Sequence, residues 1–260
     1  MNDNKKVYIG IIVCILILFI ILLLTLGIPN MIEEGKKITL LVDHDTTWVY
    51  RNKKWSNLTD SEQLKEYDWK KFHIYSNNEK VGSYYLWRDD RWYAFDKDKN
   101  AIMVEGNFFA YQANYTLDIF PFTMNTISDM TYVNEVLKEN NIPTNSAFTS
   151  SYVISLDMDD DDTLEDIYAV TNAFDTDHDS EKTFTFVFMV KNKKIYPIYE
   201  EIDDKDYYNG CKPYFTAFID LGNDSKYEFI FNCGKYSVMT PIRRLYQFHD
   251  NEFKILVSNE

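Results

Sequence analysis

The sequence is poor in glycine, cysteine and positive charge. Glycine occurs only 8 times in 260 residues, against a usual share of about 7%, which argues against folds built on glycine-rich loops. Three cysteines are too few for a disulfide scaffold. With 27 basic and 41 acidic residues, the formal net charge is −14. Nucleic acid is therefore excluded as a partner, because phosphate recognition requires a positive field.

The sequence is rich in apolar and aromatic residues, which make up 45% and 17% of the chain. That content is sufficient for a folded core. Most of the chain alternates polar and apolar residues with a period of two and is rich in Tyr, Phe, Val, Ile and Thr, which predicts β-strands. Only residues 61–72 and 129–139 combine helical spacing with capping residues. We therefore predict a mainly β chain with one or two short helices.

The longest uncharged run lies near the N-terminus. Residues 7–28 contain no charged side chain, and about 20 apolar residues span a bilayer. A cleaved signal peptide is the alternative, but its apolar region is only ~7–15 residues long and ends in a small-residue cleavage site. We predict a cytoplasmic tail over residues 1–6, a transmembrane signal anchor over 7–28 and a juxtamembrane linker over 29–37. The short tail favours a single-pass cell-membrane protein with an extracytoplasmic C-terminal domain.

Four segments share the form of an apolar strand, a polar turn and a second strand. Asn and Asp at the turns tolerate left-handed backbone, so each segment predicts an antiparallel hairpin. The four segments are either copies of one repeated structural unit or the ordinary hairpins of an antiparallel protein with this composition. The segments are residues 48–55, 85–92, 188–195 and 246–253.

The two halves of the exposed part differ in composition. All five tryptophans lie before residue 93, and the densest acidic clusters follow residue 156. We predict a tryptophan-rich β subdomain over residues 38–127, a helix and linker over 128–145, and an acidic-loop β-repeat subdomain over 146–260. One continuous β domain is the alternative.

The acidic run that begins at Asp157 is the most specific candidate site. Acids occupy positions 1, 3, 5 and 9 of this segment: Asp157, Asp159, Asp161 and Glu165. Alternate acids in a tight loop direct their oxygens to one point, and a shell of oxygen ligands suits Ca²⁺. The sequence therefore predicts a structural calcium loop, and a solvated acidic turn is the alternative.

A second segment repeats part of this spacing. Asp220, Asp224 and Glu228 occupy positions 1, 5 and 9, whereas Gly222 replaces the acid at position 3. Both segments lie between two β-rich runs. We predict that this loop also binds calcium, with one ligand fewer.

The two segments, above all FIDLGNDSKYEFIF, resemble the calcium-loop repeats of the FG-GAP/VCBS class, found in integrin-alpha-like propellers. The resemblance covers about residues 150–257. Its usual form, D-x-[DN]-G-D-G-x-x-[DE], has glycines where this chain has Asp160 and Asp162. The resemblance implies antiparallel hairpin repeats arranged as a propeller, a partial propeller or a sandwich, with the ion held between two strands.

Two further features leave alternatives open. The tryptophans, with Tyr84 and Tyr85, form either a sugar-stacking platform or core, and aromatic residues in strands favour core. Cys211 and Cys233 lie on either side of the second acidic loop. A regular hairpin with Asp220 opposite Glu228 places residue 237, rather than Cys233, opposite Cys211, so a disulfide remains open.

These features favour a non-catalytic binding protein with structural calcium loops. Its expected partners are the membrane and a cell-surface protein or glycan, and we expect no catalytic residue. One alternative is a metal-dependent hydrolase that uses the cluster from Asp157 to Asp161, although no nucleophile or general base lies nearby in sequence. The other is a structural envelope component without a ligand.

Overall fold

A computed structural model describes residues 37–77, 79–104, 107–173, 182–204, 210–222, 226–235 and 241–260. Strands account for 56% of these residues, so the predicted mainly β class is confirmed. The predicted tail and anchor and most of the linker lie outside the described residues. Within the residues that are described, no helix has the length and apolar character needed to cross a bilayer.

The strands are all short or of moderate length. The described residues form β1 (Ile38–Val42), β2 (Thr46–Arg51), β3 (Lys54–Asn57), β4 (Lys70–Ser76), β5 (Glu79–Arg88), β6 (Trp92–Phe95), β7 (Ala101–Ile102), β8 (Phe108–Gln112), β9 (Asp118–Phe120), β10 (Ser150–Leu156), β11 (Glu165–Thr171), β12 (Lys182–Lys191), β13 (Lys194–Asp204), β14 (Lys212–Asp220), β15 (Glu228–Gly234), β16 (Ile242–His249) and β17 (Glu252–Ser258).

The strands form three antiparallel sheets. The first has the order β3-β2-β1-β8-β4-β5-β6-β7, the second β10-β11-β12-β13, and the third β17-β16-β15-β14-β9. None of the three closes on itself. Strand β9 follows the first sheet in sequence but pairs with β14 of the third sheet, so the third sheet combines strands from both halves of the chain.

The third sheet packs against both of the others. Phe229 and Phe231 of β15 belong to a core shared with the second sheet. Ile230, between them in sequence, belongs to a core shared with the first sheet. Because successive side chains of a strand point to opposite faces, the aromatic and aliphatic residues of β15 fill two different cores. The third sheet is therefore the middle layer.

All four predicted hairpins are present. Their closing pairs are Arg51 with Lys54, Arg88 with Trp92, Lys191 with Lys194, and His249 with Glu252. Three of the turns consist of two residues that both have positive φ, as a type I′ turn requires. They are Asn52-Lys53, Asn192-Lys193 and Asp250-Asn251.

The first predicted helix is shorter than expected. Helix α1 spans Ser61–Leu64 and a 3₁₀ turn follows over Lys65–Tyr67. The prediction of helix as far as residue 72 is wrong, because Trp69 has a φ of 58° and β4 begins at Lys70. A left-handed residue cannot continue a right-handed helix.

The second helix lies where the sequence predicts it. Helix α2 spans Thr131–Glu139, within the predicted helix and linker. Val133 and Leu137 are fully buried and pack in one cluster with aromatic residues of β12. The helix therefore covers the outer face of the second sheet.

A disulfide joins Cys211 to Cys233, whose Cα atoms are 5.2 Å apart. The regular register that the sequence suggested is wrong for this hairpin. Ile219 rather than Asp220 lies opposite Glu228, and an irregularity between Phe215 and Ala217 shifts the pairing by one further residue, so that Pro213 lies opposite Cys233. This shift moves Cys233 next to Cys211, which settles the alternative left open by the sequence.

Candidate functional site

The first acidic loop connects β10 to β11, and the carboxylate of Asp157 organises it. One oxygen of Asp157 accepts hydrogen bonds from the backbone N–H groups of Asp159, at 3.3 Å, and Asp161, at 3.2 Å. The other oxygen accepts from the N–H of Asp162 at 2.9 Å. The loop therefore curls around its first residue, as the spacing of the acids predicts.

Two residues of this loop have left-handed backbone. Asp160 has a φ of 60° and Asp162 a φ of 62°. These are the two positions where the loop that the sequence resembles has glycine, the residue that adopts positive φ without a steric cost. Asp tolerates this conformation better than most residues. The loop thus keeps the tight backbone although it lacks the glycines.

The ammonium group of Lys191, the last residue of β12, lies between the acids. Its Nζ is 2.7 Å from Oδ1 of Asp159. It is also 2.7 Å from Oδ2 of Asp161 and 2.8 Å from Oε1 of Glu165. Glu165 is fully buried and the Lys191 side chain is 10% exposed. Three carboxylates therefore converge on one position, which a cation of the chain itself occupies.

The titration behaviour of the cluster follows from these contacts. Burial alone would lower the pKa of Lys191, but hydrogen bonds to Asp159, Asp161 and Glu165 outweigh it and raise the pKa. The hydrogen bond from Lys191 lowers the pKa of Asp161. The pKa of Glu165 is raised, because its loss of hydration exceeds the stabilisation that Lys191 provides. Lys191 therefore stays charged at neutral pH.

The donor atoms fit an oxygen-binding cation. Asp157, Asp159 and Glu165 each offer a carboxylate oxygen, and these oxygens lie within 4.8 Å of one another. Such a set suits Ca²⁺. The structure brings together all four acids predicted for this site, but a metal ion at the same position must displace the ammonium of Lys191.

Sequence reasoning missed Lys191 because it lies in a different hairpin. The sequence predicts residues 188–195 as an antiparallel hairpin and does not indicate which residues it contacts. No local pattern indicates this contact, because it depends on strand pairing: Asp166 pairs with Val190, and this register carries Lys191 to a position opposite Glu165.

The second acidic loop shares two features with the first. Ile219 pairs with Glu228 just as Leu156 pairs with Glu165. Glu228 accepts a hydrogen bond from the N–H of Leu221 at 3.0 Å. Glu165 likewise accepts one from the N–H of Met158 at 2.7 Å. Each glutamate therefore closes its own hairpin.

The second loop differs in the group that faces its glutamate. Gln247 of β16 donates from Nε2 to Oε1 of Glu228 at 2.7 Å, so a neutral amide takes the role that Lys191 has in the first loop. Asp220 is buried, with 4% of its surface exposed. Asp224 lies outside the described residues.

The tryptophans divide between core and surface. Trp48 and Trp92 are 0% and 1% exposed, which confirms the core interpretation for these two. Trp92 also donates from Nε1 to the hydroxyl of Thr47 at 3.1 Å. Trp69 differs, since 43% of its surface is exposed.

Comparisons with known proteins give no relative for this chain. No family model, no curated protein sequence and no solved structure matches it. The similarity to FG-GAP/VCBS repeats therefore rests on the two loop sequences alone.

Proposed function

We propose that the chain is a membrane-anchored, extracytoplasmic binding protein without catalytic activity, and that its first acidic loop is a structural cation site. One observation carries the cation site: the carboxylates of Asp159, Asp161 and Glu165 converge on a single position that holds a positive charge. The anchor rests on the uncharged run over residues 7–28. The proposed partner is a cell-surface protein or glycan.

Calcium is the metal that the donor set favours. Asp157, Asp159, Asp161 and Glu165 would hold it and supply oxygen ligands, while the ammonium of Lys191 would turn towards solvent. Four carboxylates and one ammonium carry a net charge of −3. Replacement of the ammonium by a divalent ion changes this to −2, which reduces the repulsion among the acids. Exterior calcium sites bind at ~10⁻⁴–10⁻³ M, so we expect the exchange with Lys191 to take place at millimolar calcium.

The second acidic loop is proposed as a weaker site of the same kind. Asp220, Asp224 and Glu228 are its ligands. Gly222 provides no side-chain ligand, so this loop offers fewer oxygens than the first.

We also propose that the second and third sheets are two blades of a partial, propeller-like stack. Strands β10 to β13 form one four-stranded meander and β14 to β17 form another. In each meander the acidic loop connects the first strand to the second. The two meanders pack face to face through a shared aromatic core, as neighbouring blades do.

The hydrolase alternative receives less support from the geometry. A hydrolytic metal site needs a ligand position open to water and substrate. Here three backbone N–H groups engage Asp157, and the side chain of Glu165 is fully buried. The acids are therefore arranged to hold a loop together.

The melting temperature of the full-length protein in detergent tests this proposal. Millimolar calcium is expected to raise the wild-type value by a few degrees, since a ligand that binds only the folded state stabilises it. Asp159→Asn should abolish most of this shift, because the Asp159 carboxylate contributes oxygens to the site. The variant should keep the loop conformation, because Asp159 is bonded within the loop through its backbone N–H, which the substitution retains. Asp98→Asn, an exposed acid in a distant loop, should leave the shift unchanged. A wild-type melting temperature that ignores calcium would favour a structural component without a metal ligand.

A further inference from the structure

An open groove of about 320 Å³ lies on the first sheet, away from the acidic loops. Trp69 precedes β4, Tyr85 lies on β5, and the remaining lining residues belong to the turn between β6 and β7. The lining residues are Trp69, Tyr85, Asp96, Lys97 and Lys99. Two aromatic side chains and two ammonium groups therefore border one concave surface.

Trp69 adopts a backbone conformation that is unfavourable for a bulky residue. Its φ is 58°, and the left-handed region costs an L-residue about 1–2 kcal/mol. Its N–H donates to the carbonyl of Leu86 at 2.6 Å, which fixes the chain there. The ring packs on Phe95, with the two ring centroids 5.3 Å apart, yet 43% of the residue remains exposed. A strained backbone at a partly exposed aromatic residue is consistent with a role in binding.

The turn beside Trp69 is rigid. Asp96 accepts hydrogen bonds from the backbone N–H groups of Asp98 and Asn100, both at 2.8 Å. Its other oxygen accepts from the side-chain amide of Asn100 at 2.8 Å. The bonds from Asn100 and Asp98 lower the pKa of Asp96. The single acid of the groove is thus engaged in its own turn, and the groove is formed before a ligand arrives.

The two lysines of the groove are available to a ligand. Among the described residues, neither Lys97 nor Lys99 forms an ion pair. The Nζ of Lys99 lies over the Trp69 ring, 5.2 Å from its centre, so an anionic group that draws this ammonium to itself would uncover the indole face. A cationic ligand would be repelled from this position, whereas an anionic one would form charge-assisted hydrogen bonds.

From this combination we infer that the groove binds a negatively charged saccharide. The C–H face of a sugar ring would pack on the indole of Trp69, and a carboxylate or sulfate group would accept hydrogen bonds from Lys97 and Lys99. This inference rests on the proposed role as a surface binding protein. It deepens that role by giving a ligand class and a site, and it does not depend on the cation loop.

Binding is tested by calorimetric titration of the full-length protein in detergent. The probes are an oligosaccharide of glucuronic acid and N-acetylglucosamine and a neutral N-acetylglucosamine oligosaccharide of equal length. We expect the acidic probe to bind at least about tenfold more tightly, a difference of about 1.4 kcal/mol. Equal affinity for both probes, or binding of neither, would overturn the inference. If only a phosphorylated peptide binds, the saccharide assignment is also wrong.

Variants separate a role in binding from a role in folding. Trp69→Asn should still melt in one cooperative transition, because Asn tolerates positive φ, yet it should lower the affinity at least about tenfold. Lys97→Gln should lower the affinity for the acidic probe without changing the affinity for the neutral probe. Trp55→Phe is the control, at a half-buried residue of β3 outside the groove, and it should bind both probes with wild-type affinity. A Trp69→Asn protein with wild-type affinity contradicts the inference. If calcium raises the melting temperature but neither saccharide binds, this inference is wrong and the proposed cation site is retained.

Discussion

Replacement of Lys191 by methionine is expected to lower the free energy of unfolding by about 3 kcal/mol in calcium-free buffer. Methionine keeps the apolar stem but removes the charge that faces Asp159, Asp161 and Glu165. The penalty comes mainly from Glu165, which is fully buried and loses its ion-pair partner. Urea unfolding followed by circular dichroism measures the difference.

The matched control is Lys193→Met, two residues further along the same hairpin. Lys193 is exposed at the turn, and surface substitutions of this kind change stability by about 0.5 kcal/mol or less. A Lys191→Met protein as stable as the control would show that the ammonium does not hold the loop.

The second large effect is expected at Arg243, which joins the first and third sheets. Its side chain is 4% exposed and lies within 3.0 Å of the Asp43 carboxylate. It also donates to Asp45 at 2.6 Å and to the hydroxyl of Thr46 at 2.8 Å. Arg243→Met should cost about 3–5 kcal/mol, because removal of one partner leaves a buried charge unpaired. Burial already raises the pKa of Asp43 despite the guanidinium.

The neighbouring residue Arg244 is the control for this variant. Arg244 pairs with Glu260, whose side chain is 46% exposed. Such a pair contributes about 0–1 kcal/mol and the hydrogen bond from Arg244 to the Tyr246 hydroxyl about 1 kcal/mol, so Arg244→Met should cost clearly less than Arg243→Met. Equal losses of stability in the two variants, measured by urea unfolding, would contradict the assignment of Arg243 as the ionic link between the sheets.

The local parts of this fold follow from the sequence. Alternating residues predicted strands, and Asn, Asp and Lys at the tips predicted the hairpins, since both signals involve neighbours along the chain. The shortened first helix was not predictable in the same way. Phe72 has suitable helical spacing, but it lies in β4, pairs with Tyr84 of β5 and is fully buried. A tertiary partner overrides the local pattern there.

The candidate site was predictable in its acids but not in its cation. Asp157, Asp159, Asp161 and Glu165 are close in sequence, so their spacing was sufficient to place them together. Lys191 reaches them only through the pairing of β11 with β12. Similarly, Arg243 and Asp43 are 200 residues apart in sequence, and only the stacking of two sheets brings them together. Contacts that depend on sheet order lie beyond what local patterns contain.

We propose that Lys191 and calcium compete for one position, and the calcium affinity of the Lys191→Met variant tests this competition most directly. Calorimetric titration of full-length wild-type and variant protein in detergent gives the two dissociation constants. Removal of the ammonium eliminates the cost of displacing it, so the variant should bind calcium at least about tenfold more tightly than wild type, a gain of about 1.4 kcal/mol. Equal affinities, or no binding by the folded variant, would contradict the account.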